Sequence, residues 1–260
     1  MTEPILIRRE GPVAWLIFNR PERLNALDVP MAEAMLEAVR GLTADPDLRV
    51  IVMTGAGRAF MAGGDLASFR AAEDKPRAFR AVVDPGHAAL KLLEQAPQIV
   101  IAAVNGAAAG GGLSIALSAD LVVAAAGASF TFAYVRVGAP GDCGGTWMLP
   151  RLLGLRRALG FALLGRGMTA SEALLAGLVT EIVPDEELES ATAAMAARIV
   201  AGPPLAQAEL KRLMRTASET GYAEHLDAEA AAFERCAGTA DFAEALDAFF
   251  DKRPPVFTGG

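Results

Sequence analysis

The stretch 106-GAAAGGGLSIALSAD-120 decides how this chain is read. Nine of its fifteen residues are glycine or alanine. Such a run suits a membrane span, a nucleotide-phosphate loop, or a place where backbone touches a ligand. It lies in an apolar stretch, Ile99 to Leu117, long enough to cross a bilayer. Asn105 interrupts that stretch, and the β-branched QIVIAAVNG precedes the glycines. The pattern therefore predicts a buried strand, a loop and a short helix rather than one uniform span. A dinucleotide fingerprint needs G-x-G-x-x-G with an acidic residue about twenty positions on. Gly106 followed by Gly110-Gly111-Gly112 does not fit it, and the Gly-Lys-Ser/Thr of a P-loop is missing. Bare backbone opening a helix remains. Its unpaired N–H groups can hold a negative oxygen, or its glycines can simply allow tight helix–strand packing. This run alone leaves both open.

Outward from it, strands and helices alternate. Residues 5–10 (ILIRRE) and 13–19 (VAWLIFN) read as strands joined at Gly11-Pro12. Residues 48–55 and 119–126 read as buried strands, and 30–42 as an amphipathic helix with Pro30 in its first turn. A helix is expected over 87–97, ended by Pro97, whereas 67–84 has mixed charge, weak pattern and the look of a mobile segment. Beyond Thr146 strand character fades apart from 178–183 (LVTEIV), and helical patterns take over. This predicts an α/β layered core over residues 1–185 and a helical region over 186–260.

Composition narrows the functions. The chain has 260 residues, is 53% hydrophobic and carries a net charge of −7. That charge argues against a nucleic-acid partner. Only two cysteines and two histidines occur, so neither a disulfide framework nor a His-rich metal site is expected. MTEPILIRREGP lacks the apolar core of a signal peptide, and a cytoplasmic location is expected.

A second glycine loop, 60-FMAGGDL-66, also follows a buried strand. Two such loops from neighbouring parallel strands can aim two amides at one oxygen, an oxyanion hole. Asp65 within it reads equally as a helix N-cap.

Taken together, NRPERLNAL, GAGRAFMAGGDL, AVNGAAAGGG, GGTWMLPRLLG, MTASEALLAGLVTEIV and FFDKRPPVF, in this order and over nearly the whole chain, resemble the enoyl-CoA hydratase/isomerase (crotonase) superfamily. The resemblance implies a spiral of ββα turns with a C-terminal helical trimerisation region, assembled as a trimer or a hexamer of paired trimers. It implies an acyl-CoA thioester substrate, stabilisation of an enolate, and no cofactor beyond the coenzyme A of the substrate. It places the oxyanion amides on Ala62 and Gly111. It places CoA contacts on Arg23, Leu24, Ala26, Gly64, Asp65 and Leu66, with Lys252 reaching the CoA phosphate from a neighbouring subunit. Terminal basic residues are otherwise simply solvated.

The hydratases of the family manage water with two glutamates. Those positions fall here on Ser114 and Tyr134. Neither hydroxyl is a useful general base at neutral pH, so both are read as pocket lining, with Phe132. A carboxylate does stand in 136-RVGAPGDCGGTWMLPR-151, at Asp142. That segment resembles a crotonase subgroup that includes the ring-epoxide isomerase of phenylacetate breakdown. By itself Asp142 could be a turn or N-cap residue; the resemblance makes it the catalytic acid/base. The expected activity is double-bond or epoxide isomerisation through an enolate. The alternatives are an enoyl-CoA hydratase with an atypical site and a non-catalytic acyl-CoA scaffold. A third route, with Asp142 as nucleophile as in related aryl-CoA dehalogenases, needs a histidine. His87 and His225 lie outside the segments that the resemblance brings to the site. Trp147 is expected in the core or the pocket wall, and Cys143 as packing.

Overall fold

A computed structural model describes residues 3–260. The chain opens with an antiparallel pair, β1 (Ile5–Glu10) and β2 (Val13–Phe18). Helix α1 (Val29–Thr43) follows, capped by the Asp28 carboxylate, which accepts the Met31 N–H at 3.0 Å. A repeating theme begins there. β3 (Val50–Gly55) and the short β4 (Ala59–Met61) lead to α2 (Leu66–Ala71) and α3 (Lys75–Gln95). β5 (Ile99–Val104) and β6 (Ala107–Ala109) lead to α4 (Gly111–Ser118). β7 (Leu121–Ala125) and β8 (Ser129–Thr131) lead to α5 (Gly145–Leu153) and α6 (Leu155–Leu164). β9 (Gly167–Thr169), α7 (Ala170–Leu175) and β10 (Glu181–Val183) close the series. The C-terminal region is α8 (Leu188–Val200), α9 (Pro204–Thr216), α10 (Tyr222–Ala237) and α11 (Ala240–Asp251).

Each turn gives one strand to each of two sheets. The longer strands form a six-stranded sheet ordered β1-β2-β3-β5-β7-β10, and the short ones a four-stranded sheet ordered β4-β6-β8-β9. β2 through β10 of the larger sheet run parallel, as do β4, β6 and β8 of the smaller. This is the spiral of ββα turns that the resemblance implies. Val50, Ile51, Val52 and Met53 of β3 are all buried, as are Val100 to Val104 of β5, which is why these strands read as continuous apolar runs. The stretch from Ile99 to Leu117 divides into β5, β6 and α4. Among the described residues no helix is long and apolar enough to cross a membrane.

Three expectations change. Residues 67–84 are not an unstructured segment but most of α2 and the first half of α3, whose start Asp74 caps at the Arg77 N–H, 3.0 Å away. The helix expected from residue 87 thus begins at Lys75. Trp147 is not in the core: it is 38% exposed, with the Arg151 guanidinium stacked 3.6 Å from its ring centroid. β4, β6, β8 and β9 go unread in the sequence because three residues cannot display an alternation.

A buried tie joins the helical region to the sheets. Asp120 accepts the Val100 N–H at 2.8 Å and pairs with Lys211 at 3.0 Å and with Arg215 of α9. Lys211 is 8% exposed, and its ammonium also donates to the Leu93 and Gln98 carbonyls. A buried ammonium this fully partnered holds α9 in one place.

Candidate active site

β4 and β6 are parallel neighbours, so the loops that leave them, 62–65 and the glycines at 110–112, emerge side by side. Gly110 turns β6 into α4 with φ 52 and ψ −122, a conformation only glycine adopts readily. Gly112 is needed for a different reason: a Cβ there would collide with the Met61 carbonyl at the end of β4. Helix and strand therefore touch backbone to backbone. The Gly111 N–H is the first of α4, with no intrahelical partner. A Cβ on Gly63 would lie 3.6 Å from the Gly111 nitrogen, so the two loops are in contact.

The first loop differs from expectation. The Ala62 N–H donates to the Leu24 carbonyl at 3.0 Å, which commits it within the fold. Leu27 donates to the Gly63 carbonyl at 2.7 Å, and Asp65 to the Leu27 carbonyl at 2.9 Å. Gly64, between them, forms a parallel bridge with Leu27. In this bridge Leu27 makes both bonds, to the residues on either side of Gly64, so the Gly64 N–H faces away from Leu27. The Gly64 N–H has no hydrogen-bond partner among the described residues. Sequence could not distinguish Ala62 from Gly64, because the choice depends on pairing with a loop nearly forty residues earlier.

That earlier loop holds Arg23, Leu24 and Ala26. Leu24 and Asn25 both adopt left-handed backbone, φ 52 and 56. Asn25, unnoticed in the sequence, is fully buried. Its amide donates to the Ala56, Ala59 and Phe60 carbonyls at 3.0, 2.8 and 3.2 Å, and its oxygen accepts the Arg20 N–H at 2.9 Å. Asparagine tolerates this backbone and turns it into a staple between the loop and β4. Asn25→Ala is expected to lower stability by at least about 3 kcal/mol in urea unfolding, through orphaned buried groups and an alanine forced to positive φ. Arg20 braces the same loop, donating to the Ala26 carbonyl at 2.7 Å and pairing with Asp28 at 2.9 Å and Asp65 at 3.3 Å. Asp65 caps α2, accepting from the Ala67 and Ser68 N–H groups at 3.1 and 3.3 Å. Arg23 and Leu66 are exposed beside these elements.

The loop between β8 and α5 brings Asp142 over Gly111. A Cβ on Gly111 would stand 3.5 Å from Asp142 Oδ1 and 3.7 Å from the Tyr134 hydroxyl. Tyr134 donates a hydrogen bond to Asp142 Oδ1. Burial first, then the Asp142 carboxylate, raises the Tyr134 pKa far above its ordinary range, so the hydroxyl keeps its proton and stays a donor. Ser114 is fully buried, 3.3 Å from both the Tyr134 oxygen and the Gly110 carbonyl. Phe132 packs on Tyr134 with ring centroids 4.7 Å apart and fills the space beneath Gly141 and Gly145. Ser114, Phe132, Tyr134 and Asp142 thus form one cluster. Cys143 is buried, and burial plus the Asp142 carboxylate push its thiol well above the usual range, so it is no thiolate nucleophile.

His87 departs furthest from expectation. Its Nε2 accepts the Cys143 N–H at 3.1 Å, placing a histidine beside Asp142. The D-P-G-H sequence hid it: Pro85 lies inside α3, where proline usually marks a helix end. His225 stays within the C-terminal helices, near Thr220 and Glu229. Lys252 ends α11 with φ 57, in a different part of the chain from this cluster.

Residues 8–260 match the family model described as enoyl-CoA hydratase/isomerase. The chain is 37% identical to 1,2-epoxyphenylacetyl-CoA isomerase of Escherichia coli K12, over 100% of both chains. It is 41% identical to a probable enoyl-CoA hydratase of Rhodobacter capsulatus, over 95% of both. Among solved structures it resembles an enoyl-CoA hydratase from Bacillus anthracis, with a TM-score of 0.93 and 32% identity, covering 99% of this chain and 100% of that one. Two loops of free amides over a fold of parallel ββα turns, matched along almost the whole sequence, make this chain a member of the enoyl-CoA hydratase/isomerase family.

Proposed function

We propose that this protein isomerises an unsaturated or epoxide-bearing acyl-CoA thioester, with Asp142 as its single acid/base. The thioester oxygen accepts hydrogen bonds from the Gly64 and Gly111 N–H groups. Asp142 takes a proton from the carbon next to the carbonyl, and the C–H electron pair moves into an enolate whose charge rests on that oxygen. The carboxyl exchanges its proton with solvent and then delivers a proton further along the chain, leaving the double bond shifted. One carboxylate suffices because one proton is moved, whereas adding water demands a second group to activate it. The observation that carries this reading is the placement of Asp142 Oδ1 over Gly111 and against the Tyr134 hydroxyl; the resemblance, which puts a hydratase's two glutamates at Ser114 and Tyr134, agrees with it.

CoA extends past Arg23, Leu24 and Ala26, and its acyl group passes Gly64, where the Phe69 ring forms an apolar wall. Assembly with further copies of the chain, with Lys252 reaching a neighbour's CoA, is part of the same proposal. Phe249 and Phe250, just before Lys252, are 76% and 77% exposed, and Leu175 is 87% exposed, a sign of faces that pack against another surface. Sedimentation equilibrium tests it; a monomer at micromolar concentration would contradict it.

A mass-spectrometric screen in heavy water with 3-enoyl-, 2-enoyl- and epoxyphenylacetyl-CoA tests the reaction. Products that gain deuterium but no water support isomerisation. Water addition would make it a hydratase, and binding with no exchange a scaffold. Tyr134→Phe, which removes the donor that orients Asp142, is expected to lower kcat by about 10-fold, the kinetic equivalent of one charge-assisted hydrogen bond. Steady-state kinetics on the substrate found in the screen measure it.

The position of His87 favours a second reading, in which Asp142 attacks an electrophilic acyl carbon and expels a leaving group with its electron pair. Water, losing its proton to His87, then cleaves the ester. Oxygen-18 in Asp142 after a single turnover in labelled water identifies that route; an unlabelled carboxylate excludes it.

A further inference from the structure

Isomerisation by Asp142 leaves His87 without a chemical task, yet α3 delivers it to the loop that carries Asp142. The loop from Gly138 to Gly144 is held in left-handed backbone at Gly138, Gly141, Cys143 and Gly144, with φ of 72, 120, 50 and 77. Cys143 is the one residue among these four with a side chain, and left-handed backbone disfavours it. That turn swings the Asp142 carboxylate onto Tyr134 and over Gly111. The peptide that joins Asp142 to Cys143 is gripped at both ends: its carbonyl accepts the Gly145 N–H at 3.0 Å, and its N–H donates to His87 Nε2 at 3.1 Å. Cys143 is 2% exposed, so without His87 that buried N–H would have no partner. Among the described residues, this is the one side-chain hydrogen bond between α3 and the loop.

We propose that His87 is a positioning residue, whose Nε2 fixes the Asp142–Cys143 peptide and thereby the aim of the Asp142 carboxylate. The inference rests on the reading of Asp142 as the proton carrier. An acceptor at Nε2 must be unprotonated there, so the imidazole is the neutral Nδ1–H tautomer. Its lone pair is committed to the amide, and using it as a base would release the loop it holds. Pro85 and Gly86 precede His87 in α3, and Gly86 is buried with its face toward Leu27 of the CoA-side loop. The helix thus carries the contact from one side of the site to the other.

Two variants separate holding from chemistry. His87→Leu removes the acceptor with little change in bulk, while His87→Gln offers a carbonyl at about the reach of Nε2. Hydrogen exchange of the peptide covering residues 139–147 reads the loop in the free protein, without reference to turnover. In His87→Leu the Cys143 amide is expected to lose at least about 10-fold in protection, and His87→Gln to keep it. kcat is expected to fall by about 100-fold in His87→Leu, as for a misaimed catalytic group, with KM little changed, and to return in large part in His87→Gln. Unchanged Cys143 protection in His87→Leu overturns the proposal. So does an equal loss of kcat in both variants, which would make the imidazole itself a reactant. Should His87→Leu not fold, nitrogen-15 shifts of His87 in the unmodified protein decide the matter: a proton on Nε2 overturns the proposal, and an unprotonated, hydrogen-bonded Nε2 supports it. If the unmodified protein turns over no enoyl or epoxide thioester, the isomerase reading fails while the exchange result still decides whether His87 holds the loop.

Discussion

Asp142→Asn is expected to lower kcat by about 1,000-fold, the usual scale for losing a positioned general base, while the affinity for the thioester stays unchanged. The side chains have the same shape, and the asparagine oxygen still accepts from Tyr134, so the cluster of Ser114, Phe132 and Tyr134 remains packed. What disappears is the ability to take a proton. The amides of Gly64 and Gly111 would still bind the carbonyl oxygen, which is why binding survives and turnover does not. A fall in kcat and kcat/KM together, with KM constant, is the signature of a group that acts in the transition state alone. Steady-state kinetics, with calorimetric binding of a non-reactive thioester, measure both halves of the expectation.

Gly112→Ala is expected to damage fold and catalysis at once. The new methyl would run into the Met61 carbonyl, and neither partner can step aside, since one is the end of β4 and the other the first turn of α4. Overpacking at a rigid backbone contact of this kind costs about 3 kcal/mol, and for a chain of this size that lowers Tm by roughly 6–12 °C. Separation of strand and helix also parts the Gly64 and Gly111 donors. kcat/KM is therefore expected to fall by about 100-fold, as when one oxyanion donor is lost. Thermal unfolding and kinetics on the same preparation check the pair of effects. A stable variant with normal turnover would mean that the close contact at Gly112 does not set the donor geometry.

The route from sequence to site was open where burial speaks through residue type. β3 and β5 announce themselves as β-branched apolar runs, and the glycines after them as loops with free amides. Closed to it were contacts made across the fold. Which amide of 62-AGG-64 is free depends on Leu24 and Leu27, and no local pattern encodes that pairing. Asn25 looks like any loop asparagine until its amide is seen beneath three carbonyls. His87 lies 55 residues before Asp142, in a segment whose proline and mixed charge obscure a long helix. What marks Asp142 in the sequence is its surroundings, R-V-G-A-P-G-D-C-G-G-T-W, rather than any pattern of charge. The second sheet is the plainest case: its strands are three residues each, and their pairing exists only once the spiral has closed.

Exchange of the proton next to the thioester carbonyl tests the central claim most directly. A 3-enoyl-CoA is mixed with the protein in heavy water, and deuterium uptake is followed by mass spectrometry alongside the position of the double bond. The account predicts that the unmodified protein incorporates deuterium while shifting the double bond, with no water added, and that Asp142→Asn does neither at a measurable rate. Exchange in Asp142→Asn as fast as in the unmodified protein would contradict it.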